Sequence, residues 1–228
     1  NLPVSTPFML TAIADDVDGD MLTYCWEQMD NEIATMPPQP TNTGGPAFRS
    51  ISPHESPTRY CPNINAIIAN QTPTWEVVPS VSRNMDFRCT VRDNAPGAGC
   101  QAITDVDLDF HASAGPFLVL EPNTADIIWQ VGSVQTINWD VANTDQAPVS
   151  CENVDILLST DGGLTYPIIL ASQVPNNGMF DITVPNNLTT EARVQVVCSS
   201  NIFFDISNED FTIEEPPAPT FFLNILPV

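Results

Sequence analysis

The sequence predicts an all-β protein: two tandem immunoglobulin-like β-sandwich domains followed by a C-terminal extended strand. Helical periodicity is nearly absent along the 228 residues. Short runs rich in β-branched and aromatic residues instead alternate with clusters of Pro, Gly, Asn and Asp, as in sandwich domains. Hydrophobic residues make up 43% of the chain, enough to form the cores of two ordinary domains.

The first domain is predicted at residues 1–114. Alternating apolar positions place its strands at residues 7–15, 21–28, 66–71, 74–79, 85–92 and 101–112. Residues 37–62 are rich in Pro, Gly, Ser and Thr, which favours a long surface excursion.

The second domain is predicted at residues 115–214, after the small-residue hinge Ser113-Ala114-Gly115-Pro116. Its strands are expected at residues 117–121, 127–130, 134–141, 154–159, 166–170, 178–184, 192–199 and 203–213. Residues 215–228 then form a Pro-rich spacer and an apolar strand.

The charge of the chain restricts its partners. Its 28 acidic and 6 basic residues give a net charge of -22, and all six basic residues are arginines. Nucleic acid is excluded as a partner because phosphate binding needs a basic face. Docking on an anionic membrane surface is excluded for the same reason. Membrane insertion is not expected, because no apolar run reaches the roughly 18 residues that a spanning helix needs.

Six cysteines and no C-x-x-C spacing predict disulfides formed in an oxidising compartment, and therefore a secreted, extracellular or cell-surface protein. Cys151 and Cys198 are alone in the second half and are expected to pair. Cys89 and Cys100 flank a turn, which favours a disulfide across this hairpin. Cys25 would then pair with Cys61. Free buried cysteines are the alternative. Two sequons predict glycans at Asn70 and Asn187.

A dense acidic turn is the candidate metal site. Asp15, Asp16, Asp18 and Asp20 surround Gly19 between two predicted strands, and such oxygen-rich turns can bind calcium. A solvated Asp/Gly turn is the alternative. Asp105, Asp107 and Asp109 alternate along one strand and are expected to form an acidic, solvated face.

No enzyme signature is found. His54-Glu55 lacks the second histidine of H-E-x-x-H, and Pro57 would break the helix which that motif needs. The absence of lysine excludes Schiff-base chemistry. Residues 159–166 match the S-x-D-x-G-x-T-W turn motif with Tyr166 in place of Trp, and its expected role is structural. The four tryptophans, at positions 26, 75, 129 and 139, are expected in strands and cores rather than on a sugar-binding platform.

Eight segments carry a family resemblance: FMLTA at 8–12, DGDMLTYCWEQ at 18–28, FRS at 48–50, CTVRDN at 89–94, AGPF at 114–117, TINWDVANT at 136–144, LSTDGG at 158–163 and FFDIS at 203–207. Together they resemble the tandem immunoglobulin-like and PKD-like region that follows reprolysin-type zinc metalloprotease domains in large secreted proteins of Bacteroidota. The resemblance implies two non-catalytic sandwiches. The zinc site of the protease domain has no counterpart in this chain. Residues 219–223 are similar to the start of a further β-domain in this family.

The C-terminal segment carries the functional hypothesis. Its apolar strand needs partners for its backbone groups and a place to bury its side chains. Either it opens a further domain, or it pairs with another copy of the chain by strand addition and builds an extracellular fibre. The assembly residues are then Phe221, Phe222, Leu223, Asn224, Ile225, Leu226 and Val228. The alternatives are an accessory module of a secreted metalloprotease that binds substrate or cell surface, and a calcium-dependent adhesin with a sugar or protein ligand.

Overall fold

A computed structural model describes residues 1–97 and 99–219. Its regular structure is almost entirely β, so the predicted all-β class is confirmed. The first half contains β1 (Leu2–Pro3), β2 (Phe8–Thr11), β3 (Thr23–Gln28), β4 (Thr58–Cys61), α1 (Ile64–Ile68), β5 (Arg83–Arg92) and β6 (Gln101–His111). The second half contains β7 (Leu118–Glu121), β8 (Ile128–Gln130), β9 (Val134–Asp140), β10 (Asn153–Ser159), β11 (Ile168–Pro175), β12 (Met179–Thr183), β13 (Thr189–Cys198), β14 (Phe204–Ile206) and β15 (Phe211–Glu214).

The first half is a sandwich of two sheets. One sheet has the order β1-β6-β5-β3, with β1 parallel to β6, and the other is the antiparallel pair β2-β4. The two sheets meet through aromatic rings, because Phe8 of β2 packs edge-on against Phe87 and Phe110 with centroids 5.9 and 5.6 Å apart. Alternation along the first part of β5 places Met85, Phe87 and Cys89 inside.

The second half repeats this immunoglobulin-like arrangement with more strands. One sheet runs β11-β10-β13-β15-β8, with β8 parallel to β15, and the other runs β12-β9-β7. Trp129 packs on Phe211 with ring centroids 4.4 Å apart. The Cys151–Cys198 disulfide joins a position two residues before β10 to the end of β13, so this predicted pairing is confirmed.

The two halves are tied together at their junction. Ala114 is buried, its carbonyl accepts from Val4 N–H, and Gly115 N–H donates to the Ala142 carbonyl. A Cβ at Gly115 would lie 2.3 Å from the Val4 carbonyl oxygen, so this position needs glycine. The expected hinge is therefore a clamped segment, because its small residues permit close packing rather than motion.

Backbone bonds from β2 also reach the second half. Met9 N–H donates to the Ile202 carbonyl and Phe204 N–H to the Pro7 carbonyl. A small cluster built from both halves, with Ile67 of α1 against Val197, Phe204 and Ile206, covers the same junction. We conclude that the two sandwiches form one continuous body.

Three local predictions for the first half are wrong. Residues 66–71 were expected to be a strand, but Asn63 caps helix α1, accepting a hydrogen bond from Ala66 N–H at 3.1 Å. Residues 74–79 form a single bridge, Glu76 to Phe48, instead of a strand. β4 lies within the stretch that was expected to be a surface excursion, because its four residues complete the β2 sheet.

The remaining cysteine predictions are also wrong. Cys25, Cys61, Cys89 and Cys100 are free thiols. In the β5–β6 ladder Cys89 lies opposite Thr104, several residues from Cys100, so the strand register does not allow a disulfide across this hairpin. Cys25 and Cys61 are buried free thiols, and the Cys25 thiol donates to the Ile51 carbonyl. Burial raises the pKa of the Cys61 thiol to about 12 and that of Cys89 to about 11, so both stay neutral and act as small apolar side chains.

Candidate functional site: a basic groove beside β4

The candidate site is a groove of about 660 Å³ on the first sandwich. We call it the β4 groove. Strand β4 forms its floor, residues 49–54 and 73–76 form its walls, and the start of α1 closes one end. It is lined by Arg49, Ile51, His54, Thr58, Arg59, Tyr60, Asn63, Ile64, Asn65, Pro73, Thr74, Trp75 and Glu76.

A buried ion pair holds the floor of the β4 groove. The Arg59 guanidinium lies 3.2 Å from Glu76 Oε1, and both side chains are buried. Arg59 also donates to the Trp26 and Arg49 carbonyls, while Glu76 Oε2 accepts from the backbone and side-chain N–H of Asn63. One network therefore joins β3, β4, the wall at residue 49 and the cap of α1.

One donor of this network is left over. Arg59 Nε is buried and has no hydrogen-bond partner within the described part of the chain. Burying an unpaired polar group costs roughly 1–3 kcal/mol. The buried network under the β4 groove thus leaves one donor of the Arg59 guanidinium unpaired.

The wall of the groove presents an aromatic ring beside a cation. The bridge between Phe48 and Glu76 places Arg49 directly opposite Trp75, and Arg49 N–H donates to the Trp75 carbonyl at 3.0 Å. The Trp75 side chain is 43% exposed, although the sequence predicted a buried strand position. Exposed tryptophan and arginine are the residue types enriched at interface hot spots.

The groove also concentrates the scarce basic residues. Arg59, Arg83, Arg88 and Arg193 form ion pairs with acidic side chains. Arg49 is exposed and makes no ion pair among the described residues, and it shares the groove with His54. On a chain of net charge -22, this surface can attract an acidic partner.

The edge of β4 offers backbone groups to the groove. Met9 lies opposite Tyr60 in the β2–β4 ladder, and Met9 N–H donates to Ile202, on the side away from β4. Opposed residues of an antiparallel pair are either both hydrogen-bonded to each other or both turned outward. The N–H and C=O of Tyr60 therefore point away from β2, where an added strand could pair with them.

The predicted calcium ligands do not form a cluster. Asp16 Oδ1 accepts from the backbone N–H groups of Asp18 and Asp20, which is the arrangement of a capped turn. Across residues 1–97 and 99–219, no three His, Cys, Asp or Glu side chains are grouped to hold a metal ion. The structure does not bring Asp15 and its three neighbours together as a ligand set.

The acidic strand face is exposed and partly neutralised. Asp105 makes a two-pronged contact with Arg88, at 2.7 and 2.8 Å, and this hydrogen bonding holds the pKa of Asp105 below its usual value. Asp109 accepts from Asn84, whereas Asp107 lies opposite Asp86. This face is a solvated surface of the β5–β6 ladder rather than a binding site.

The turn motif at residues 159–166 has a structural role. The Asp161 carboxylate accepts from Ser159 Oγ, Thr165 N–H and Thr165 Oγ1. Gly163, at φ +91°, lets the turn approach Arg193 and Ile68 closely. The motif thus docks the second sandwich against α1 of the first.

The two sequons differ in their surroundings. Asn70 is exposed and its side-chain amide donates to the Asn208 carbonyl at 3.0 Å, across the junction. Asn187 is half-buried in the turn between β12 and β13. Glycosylation of either residue stays a prediction.

A second cavity, of about 330 Å³, lies at the junction of the two halves. Asp205 of β14 lines it, and its Oδ2 accepts from Val119 N–H of β7 at 2.7 Å. Burial raises the pKa of the Asp205 carboxyl to about 7, and hydrogen bonds from Val119 and Ile206 offset only part of that rise. Burial also raises the pKa of Tyr166, and the charge of Asp205 adds a smaller upward contribution.

The raised pKa of Asp205 predicts a pH-dependent stability. Its folded pKa lies above the value of roughly 4 for an unfolded Asp. The folded state therefore holds an extra proton between about pH 4 and pH 7, and stability falls as the pH rises through that window. We expect the free energy of unfolding to fall by up to about 4 kcal/mol from this group. Denaturant unfolding at pH 4.5 and pH 8 measures it, and Asp205→Asn should show a flatter dependence. Equal slopes for the two proteins would contradict the assignment.

The C-terminal spacer leaves the body of the protein. β15 ends at Glu214 beside Gln130, and residues 214–219 are all exposed. The predicted assembly strand, residues 221–228, lies outside the described residues. Among the described residues, no helix has the length and hydrophobicity needed to span a bilayer.

Sequence reasoning missed the residues that build the β4 groove. Arg59 and Glu76 are 17 positions apart, and Trp75 follows Pro73 and Thr74 in a stretch that resembled a strand. The one available signal was the alternation Thr58, Arg59, Tyr60, which placed a basic residue at a position facing inward.

No protein-family model and no curated protein sequence matches this chain significantly. Among solved structures, the fibronectin(III)-like modules of CbhA from Clostridium thermocellum resemble it with a TM-score of 0.32 and 6% identity, over 98% of this chain and 94% of theirs. A chimeric titin Z1Z2-Z1Z2 tandem functionalised with a GRGDS peptide from fibronectin resembles it with a TM-score of 0.27 and 9% identity, over 93% of each chain. At these scores neither comparison bears on function. The strand order of the chain itself therefore identifies the fold: the protein is a β-sandwich with immunoglobulin-like topology.

Proposed function

We propose that this chain is a non-catalytic structural protomer of an extracellular fibre, assembled head-to-tail by its C-terminal strand. The observation that carries the proposal is the exposure of residues 214–219. Exposed residues at this position support an arm that reaches another copy, because the spacer is not buried in its own sandwich.

The direction of the strands supports an end-to-end contact. β7 and β8 lead away from the junction, and β15 runs parallel to β8, so β15 finishes at the end of the second sandwich opposite the first. An arm leaving from that end meets the next copy, and a contact between two different surfaces repeats without closing.

The composition of the arm suits this role. Its large apolar side chains each contribute roughly 1.5–3 kcal/mol when buried. Prolines at 216, 217 and 219 keep the spacer extended, which lowers the entropy lost on docking. The clamped junction supports the proposal as well, because a rigid protomer presents its donor and acceptor ends in a fixed relation.

Deletion of residues 220–228 tests the proposal. We expect the full chain to form filaments in negative-stain images and the shortened chain to sediment as a monomer with an unchanged far-UV circular dichroism spectrum. Filaments that persist after the deletion, or a full chain that stays monomeric at every concentration, would overturn the proposal.

A further inference from the structure

We propose that the β4 groove is the acceptor site for the C-terminal arm of a neighbouring copy, with the apolar residues 221–228 seated beside β4 and Trp75. This inference rests on the proposed function and adds to it the location of the acceptor.

The groove offers what an apolar strand lacks. Tyr60 directs its backbone N–H and C=O away from β2, so the edge of β4 can receive main-chain hydrogen bonds. Trp75, Ile51 and Ile64 line the same space and can cover apolar side chains. A volume of about 660 Å³ is in the range of sites that bury several side chains.

Charge complementarity favours the same pairing. Each copy carries a net charge of -22, so two copies repel each other over most of their surfaces. The spacer that leads to the apolar segment begins with Glu215, directly after β15, and the groove presents Arg49 and His54. Opposite charges at the contact offset the general repulsion and fix the register of the arm.

A second groove, next to the open edge of β8, does not fit the arm. It measures about 500 Å³ and lies beside β8 and β9, where Ile128 and Val134 are exposed. Glu121 is the charged residue that lines it, and no cationic side chain among the described residues does. Glu215 of the spacer would meet a like charge there instead of a counter-charge.

Two full-length variants locate the acceptor. The groove variant carries Trp75→Ala and Arg49→Glu, and the arm variant carries Leu223→Asp and Ile225→Asp. A control with Ile33→Ala and Arg92→Glu makes matched changes at exposed positions outside the groove. Circular dichroism checks that all three fold, and analytical ultracentrifugation measures their assembly.

We expect each of the two variants alone to be monomeric, and the control to polymerise as the wild type does. Mixed in equal amounts, the two should form dimers and nothing longer, because the intact arm of the groove variant fills the intact groove of the arm variant. Trp75→Ala alone should raise the concentration needed for filaments by at least about 30-fold.

The outcomes separate the two proposals. If the groove variant polymerises like the wild type while the arm variant does not, the acceptor lies elsewhere and the strand-addition function stands. If the arm variant also polymerises, the proposed function fails with it. A mixture that stays monomeric, or a wild type whose arm occupies its own groove, would overturn the assignment of the groove as an acceptor between copies.

Discussion

Replacing Arg59 with methionine is expected to lower the free energy of unfolding by about 3–5 kcal/mol, because Glu76 would be left as a buried charge without its ionic partner. The side chains of the pair are only 2% and 8% exposed, so water cannot replace the lost contact. The same guanidinium donates to the Trp26 and Arg49 carbonyls, which would also lose their donor.

Equilibrium denaturation in guanidinium chloride measures this loss, and Arg88→Met is the matched control. Arg88 pairs with Asp105 at the surface, where the side chains are 37% and 56% exposed, and an exposed pair contributes about 0–1 kcal/mol. The double variant Arg59→Met with Glu76→Gln should lose less than the sum of the two single changes, since it removes the orphaned charge. Equal losses at Arg59 and Arg88 would show that the buried pair has no special role.

Removal of the Cys151–Cys198 disulfide is expected to lower the free energy of unfolding by about 4 kcal/mol, mainly because the unfolded chain gains conformational entropy. The bridge spans 47 positions, so the loop that it closes contains strands β11 and β12 and most of the second sandwich. Cys151→Ala with Cys198→Ala should therefore shift the unfolding midpoint strongly while leaving the strand order intact.

The control for this change is Cys100→Ser, which alters an exposed free thiol and should leave the midpoint unchanged. A reducing agent should act on the wild type as the double substitution does and should have no further effect on the double variant. If the double variant unfolds at the same denaturant concentration as the wild type, the disulfide does not stabilise the second sandwich.

Long alternating strands were predictable because their pattern extends over many positions. β5, β6, β9, β10 and β13 appear close to where alternation placed them, and this suffices for the all-β class. Short apolar runs were not predictable, because Ala66, Ile67 and Ile68 suit either a buried strand or a buried helix. Asn63 accepts a hydrogen bond from Ala66 N–H and so favours the helix, and this contact depends on local geometry that the hydrophobic pattern does not show.

The site depended on distant contacts. Arg59 meets Glu76 only because β4 completes the β2 sheet, and Trp75 is exposed only because residues 75–77 pair with 47–49. Register likewise decided the cysteines: Cys89 faces Thr104, whereas the sequence showed only that Cys100 lies across a turn. Composition shows that six arginines are rare features of an acidic chain, but it does not show that Arg49 and Arg59 lie in one groove.

The parallel pairing of β8 with β15 sets how the second sandwich carries tension. A pull on the spacer draws β15 outward from Glu214, while a pull from the first sandwich reaches β8 through β7 in the opposite direction. The two strands are thus loaded in shear, and the aligned pairs Thr212–Ile128, Ile213–Trp129 and Glu214–Gln130 must yield together instead of peeling one by one. In the first sandwich, β1 runs parallel to β6 in the same way. A cable made of such links would resist stretching within each protomer and would bend at the joints between them.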